Sequence, residues 1–281
     1  MEIGKINTLS VLRETEISYL LTDGTDEVFL HKKEAKKAYL DGEAIDVFLY
    51  VDNIGRITAS TMEPIIQKGQ VGLLGVVEVK PKYGVFLYYG MVKDLLLSLD
   101  DLPSDLNKWP QVGDKLYVEM IEKNNQLFAH IIGRKQITHH YPDRPRLEDR
   151  QIVDAYVMYL LENGAVAFTE AGDEIFIHKN NYRHALHIGM LVSPKILKQN
   201  PNGEYVGSLI EQKELMLEQD ALDILAYMER KGGVMPFTDK SDPEQISRVF
   251  HMSKSAFKRA LGSLFKAKKI ELNETETKII K

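Results

Sequence analysis

One spacing returns three times along this chain. Twelve residues separate Tyr19 from His31, Phe86 from Ser98, and Val166 from His178. An apolar run ends just before the second residue of each pair: Val28-Phe29-Leu30, Leu95-Leu96-Leu97 and Ile175-Phe176-Ile177. A glycine lies inside each interval, at Gly24, Gly90 and Gly172, and a second follows at Gly42, Gly113 and Gly189. Another strand-like stretch comes next in each case, reading AIDVFLYV, KLYVEMI and MLVSPKIL. Three all-β units of about 65 residues each fit a row of small barrels better than one large sheet.

Within the first unit the alternation predicts strands over 4–12, 16–21, 27–31, 44–51 and 56–60, with a helix over 32–40. Five strands with a helix between the third and fourth is the OB arrangement. In the second unit, Gly84 lies between Tyr83 and Phe86, which suits a bulge or a close backbone approach. The two rings share a strand face only if the strand bulges there, because their spacing is odd. The sole tryptophan, Trp109, falls in a proline-containing insertion, where plugging the barrel end is the expected use. Residues 136–149 (QITHHYPDRPRLED) read as a linker. The expected domains are therefore 1–62, 67–135, 150–212 and 219–281.

The last of these changes character. A helix is predicted over 220–231, ended by Gly232-Gly233. Asp242-Pro243-Glu244-Gln245 is a helix start, and Ser253 caps a third helix running to about Lys268. That helix has an expected apolar stripe of Phe257, Ala260, Leu261, Leu264 and Phe265. Two short strands follow, over 269–272 and 277–280. Three helices and a hairpin resemble an α+β winged helix-turn-helix. Charge is polarised here: the whole chain carries a formal −5, yet residues 245–270 hold seven basic side chains and no acidic one. Lys258, Arg259 and Lys266 are the candidate phosphate contacts.

Tyr83-Gly84-Val85-Phe86 followed by LLLSLDDL resembles the signature of the S1 RNA-binding domain, an OB fold. That resemblance implies a binding face of two aromatics, a histidine, an aspartate and an arginine. Carried onto this sequence, it gives Tyr83 and Phe86 in the second unit, with Ser98 in place of the histidine. In the first it gives Tyr19, His31, Asp52 and Arg56, with Glu16 in place of the first aromatic. In the third it gives His178 alone, since Asn163 and Val166 stand where the rings would be. Three S1-type units followed by a winged helix resemble the conserved virulence factor B family over the whole chain. This resemblance implies a cytoplasmic, non-enzymatic RNA-binding regulator of virulence gene expression.

Composition bounds what else the chain can be. It has no cysteine, so no disulfide framework and no thiolate chemistry. No apolar run approaches the ~18 residues of a membrane span. His139, His140 and Asp143, or His178, His184 and His187, do not form a coherent metal-ligand set, and no cofactor is expected. The expected partner is single-stranded RNA. Duplex DNA bound through the winged helix, or a place in an RNA-degrading complex, are the alternatives.

Overall fold

Side chains that alternate inward and outward close the first 60 residues into a barrel. Its strands are β1 (Ile6–Glu14), β2 (Ser18–Thr22), β3 (Glu27–His31), β4 (Ala44–Val51) and β5 (Ile57–Ser60). They pair in the order β1-β2-β3-β5-β4 and close on themselves. Leu9, Val11, Leu21, Leu30, Leu49 and Ala59 point inward and are almost wholly buried. Each such aliphatic contributes about 1.5–3 kcal/mol of burial, alanine less. The computed structural model describes residues 1–142, 145–210 and 213–280, with backbone only over 213–216.

The helix expected over 32–40 is instead a single 3-10 turn, Lys32–Glu34, ending in extended backbone at Ala35. Four lysines in KKEAKK repel one another. Of the apolar side chains in this stretch only Tyr39 is buried and Ala35 partly so, while Ala38 and Leu40 stay exposed, and a helix that hides no apolar stripe gains little.

The second barrel repeats the order with β6 (Val71–Lys80), β7 (Gly84–Tyr88), β8 (Leu95–Ser98), β9 (Lys115–Lys123) and β10 (Gln126–Ile131). Gly84 is a place of close approach: with φ at +133°, an added Cβ would lie 2.0 Å from the Leu97 carbonyl oxygen. The register irregularity sits on the partner strand, between Val76 and Glu78. Trp109 is buried and its indole N–H donates to the Pro103 carbonyl at 2.6 Å, which fits the plugging role.

The stretch read as a linker begins as α1 (Arg134–His140). Its Ile137 is completely buried, and Arg134 donates to Glu174 and to Glu204, the latter at 2.7 Å. The linker expected over 136–149 is therefore corrected in its first part: residues 136–140 lie in a helix docked by Ile137 and by Arg134. Asp143, from the histidine-rich group, lies outside the described residues.

The third set of strands is β11 (Ala155–Leu161), β12 (Gly164–Phe168), β13 (Glu174–His178), β14 (Leu191–Val192), β15 (Lys195–Gln199) and β16 (Tyr205–Ser208). They form a six-stranded sheet in the order β14-β11-β12-β13-β16-β15, not the closed five-stranded barrel expected. The short two-residue β14 splits what would be one long fourth strand, and Pro194 interrupts the run between β14 and β15.

The chain divides into two compact units, residues 1–176 with 186–206, and 177–185 with 207–281. Inside the first, one apolar cluster runs from Phe48 and Tyr50 of the first barrel, through Leu97 and Tyr117 of the second, to Met158 and Phe168. The Tyr117 hydroxyl donates to the Thr169 carbonyl at 2.7 Å.

The second unit contains α2 (Lys213–Arg230), β17 (Val234–Met235), α3 (Pro243–Phe250), α4 (Lys254–Lys266), β18 (Ile270–Leu272) and β19 (Thr277–Ile279). The strands pair as β17-β19-β18. Asp242 accepts from the Glu244 and Gln245 amides, and Ser253 accepts from the Ala256 amide, so both predicted caps form. The first helix starts before the expected residue 220. No helix among the described residues is long and apolar enough to cross a membrane.

Candidate nucleic-acid interface

His31, Ser98 and His178 occupy one structural position. Each ends the third strand of its unit, and each side chain accepts from the amide two residues on. His31 Nδ1 takes the Lys33 amide at 3.1 Å, Ser98 Oγ the Asp100 amide at 3.3 Å, and His178 Nδ1 the Asn180 amide at 3.2 Å. A 3-10 turn starts there in all three. The residue type therefore follows from a local need to cap the turn, which an imidazole nitrogen and a serine hydroxyl meet equally well.

The second barrel has the most developed outward face. Phe86 pairs with Leu96, and Leu96 with Phe128, so three half-buried apolar side chains cross β7, β8 and β10 in one row. The residues either side of them, Val85, Leu87, Leu97 and Ala129, point into the core. Lys80 Nζ sits 5.0 Å from the Phe86 ring centroid. Tyr83 precedes β7 and is 60% exposed, with its carbonyl accepting from the Leu99 amide. Beside the row is an open cavity of about 470 Å³, lined by Ser98, Asp101, Lys123, Phe128 and His130. His130 Nδ1 and the Asp101 carboxylate lie 2.9 Å apart.

In the first barrel the structure corrects one assignment. Tyr19 is 3% exposed, packed edge-on against Tyr39 inside the core, and cannot stack on a base. The cause is a register difference. His31 pairs with Ser18, thirteen residues back, whereas Ser98 pairs with Gly84, fourteen back. Counting twelve thus lands on an inward residue in one barrel and an outward one in the other. The structural counterpart of Tyr19 is Val85, and that of Phe86 is Leu20. The exposed ring on this face is Phe29, which pairs with Leu20 on one side and Thr58 on the other.

Asp52 and Arg56 do come together. Arg56 Nε and Nη2 donate to Asp52 Oδ2 at 2.9 and 2.7 Å. Asp52 Oδ1 takes the Ile54 and Arg56 amides, and the Arg56 amide is the largest of the influences holding this carboxyl below its ordinary range. The parallel pairing of Phe29 with Thr58 sets Arg56 level with Glu27. That is four residues, roughly 13 Å, along the strand from His31. The pair and the histidine therefore mark opposite ends of the face.

In the second unit, the segment after His178 and the first halves of α2 and α4 enclose a cleft of about 760 Å³. Arg183 and Asp220 form a two-bonded ion pair in it, with Nη2 donating to Oδ2 at 3.1 Å and Asp220 almost fully buried. Lys179, His184, His251 and Arg259 also line it. Further along α4, Lys258 and Lys266 are exposed. Lys258 has only a 3.9 Å approach to Asp239, and Arg259 donates to Ser255 Oγ at 2.9 Å. Among the described residues, no group of three or more His, Asp or Glu side chains could hold a metal ion.

Phe29, Leu96, Phe128, His130 and Arg183 were absent from the sequence-based set. Alternation in EVFLH and QLFAHI could have found the first and third, since each ring falls between two inward residues. The Arg183–Asp220 pairing has no local signal.

Three family descriptions match the chain. These are an S1 domain over residues 3–62, a CvfB first S1-like domain over 72–130, and a CvfB-like winged helix domain over 222–279. The protein YitL of Bacillus subtilis is 34% identical over 96% of this chain and 91% of its own length. Conserved virulence factor B of Staphylococcus epidermidis is 30% identical, covering 96% of this chain and 92% of its own. A crystal structure described as a multidomain protein with nucleic acid binding domains, from Streptococcus pneumoniae, is 28% identical with a TM-score of 0.66. It spans 99% of this chain and 98% of that one.

Proposed function

This chain belongs to the conserved virulence factor B family, and from that premise we propose that it binds single-stranded RNA without catalysis, as a cytoplasmic post-transcriptional regulator. The observation that carries the reading is the outward row Phe86–Leu96–Phe128 beside the exposed Tyr83. Bases have π-faces, so rings presented on a barrel wall bind unpaired strands by stacking, at about 1–3 kcal/mol per base. Arg56, Lys258, Arg259 and Lys266 supply charge for phosphates, and His31 and His178 place an imidazole at the end of the third strand. The related pneumococcal structure, described as carrying nucleic acid binding domains, supports the same reading.

The test measures RNA affinity and thermal melting on one double variant, Tyr83→Ala with Phe86→Ala. Affinity for single-stranded RNA should fall by about 2–6 kcal/mol, two bases' worth, while melting changes little. Collapse of melting would mean that the rings pack rather than bind. The regulatory part is tested separately: deleting the gene should change the abundance of particular transcripts. Purified protein should leave labelled RNA intact with Mg²⁺ or Mn²⁺, and turnover abolished by a point substitution in this chain would defeat the non-enzymatic reading.

A second reading, duplex DNA bound through the winged helix, is favoured by the exposed cations of α4. It is weakened by the wing: the β18–β19 hairpin carries Glu271, Glu274 and Glu276. A wing that lies along a duplex backbone would bring those carboxylates to phosphate, with only Lys278 to offset them, and Lys278 is bound to Glu276 at 2.7 Å. Comparing affinities for single-stranded RNA and duplex DNA at one salt concentration separates the readings.

A further inference from the structure

Phe265 belongs to the apolar stripe of α4 by sequence, yet the structure leaves it 53% exposed. The reason is angular. Phe257, Ala260, Leu261 and Leu264 are buried on one side of the helix, and Phe265 lies about 100° from the middle of that side. It shares the solvent face with Lys258, Gly262 and Lys266, all within an arc of about 100°. Lys268 and Lys269 follow the helix directly and are exposed. Among the described residues, Lys266, Lys268 and Lys269 have no acidic partner within salt-bridge distance. At Gly262 an added Cβ would meet nothing within 4 Å, so the gap beside the ring is open space.

This face therefore sets an exposed phenylalanine among lysines, three of which lack an acidic partner among the described residues. It leaves apolar surface in water and several like charges close together. It suits a ligand that brings both a flat π-surface and regularly spaced negative charge. A duplex does not offer the first, because its bases are stacked on one another and closed off from a ring on a helix face. A single strand offers both.

We propose that Phe265 is a base-stacking platform on α4, with Lys258, Lys266, Lys268 and Lys269 holding the phosphates on either side, so that this helix reads an unpaired strand and not a groove. The site rests on the RNA-binding reading above and gives the winged helix a ligand class of its own: an unpaired nucleotide within a single strand. The acidic wing fits this arrangement, since a strand lying along α4 need not touch it.

The experiment uses the full chain and a fluorescein-labelled single-stranded RNA of about 12 nucleotides, within the usual range of site sizes. Duplex DNA of the same sequence is the comparison. Phe265→Ala should weaken RNA binding about 5- to 150-fold. Phe265→Tyr should retain it, and Phe265→Leu, equally apolar but without a π-face, should fall with Ala. Melting should be unchanged in all three, because the ring is exposed. The salt slope separates stacking from charge: Lys266→Ala should reduce it by about 0.7, and Phe265→Ala should leave it unaltered. If Leu binds as well as Phe, or if Ala binds RNA like the wild type, the stacking site is refuted while the RNA-binding reading stands. The stacking site is refuted equally if the wild type prefers the duplex and Phe265→Ala does not alter that preference. Wild-type protein with no measurable affinity for the RNA overturns both.

Discussion

Tyr19 and Phe29 sit on adjacent strands of the first barrel, one ring facing the core and the other facing water. Replacing each by alanine should therefore give opposite results. Tyr19→Ala removes a buried ring that packs against Tyr39, and by analogy with other buried aromatics it should cost about 3–5 kcal/mol of stability in urea unfolding. Phe29→Ala should stay within about 1 kcal/mol, because little of the ring leaves contact. A large loss at Phe29 would show that the face is packed against something. At this scale, the sequence reveals which residue types the face contains but not which of two neighbours faces out. Periodicity assigns a face only once the register is known, and a hairpin one residue longer inverts the assignment. The small residues opposite the turn-capping position, Ser18 and Gly84, were the better markers for aligning the two barrels.

Gly84 is the element-scale case. It begins β7 where the strand passes so near the Leu97 carbonyl that a methyl group has no room, and its φ of +133° is a conformation other residues rarely adopt. Gly84→Ala should thus unfold the second barrel or lower its stability by several kcal/mol, more than the usual ~1 kcal/mol for a glycine change. Circular dichroism melting would check this, and a variant that melts like the wild type would show that β7 and β8 can separate at that point. Strands were the most legible elements: β3 and β4 fall where alternation put them. Helices with capping signals, α3 and α4, were legible for the same local reason. What was not legible depended on distant partners. The 32–40 stretch has helix-forming residues but no apolar stripe to bury, since Tyr39 alone of its side chains is buried. The 136–149 stretch reads as a linker, yet its first residues are held in a helix by Ile137 and by Arg134, whose carboxylate partners lie 40 and 70 residues away.

At the scale of the molecule, the continuous apolar cluster through residues 1–176 and 186–206 means that its β units should not melt independently. Calorimetry of the full chain should show one cooperative transition for this unit rather than a separate one for each barrel. Resolved transitions would mean that the shared packing contributes little. The same packing bears on how function can be assigned by dissection. Cutting the chain after the first barrel would strip cover from Phe48 and Tyr50, and a fragment that lost binding would report its own collapse as readily as a lost contact. In such a protein, truncation maps cannot be taken at face value. Attribution has to come from single exposed side chains changed within an intact chain, each checked for folding before its effect on a ligand is counted.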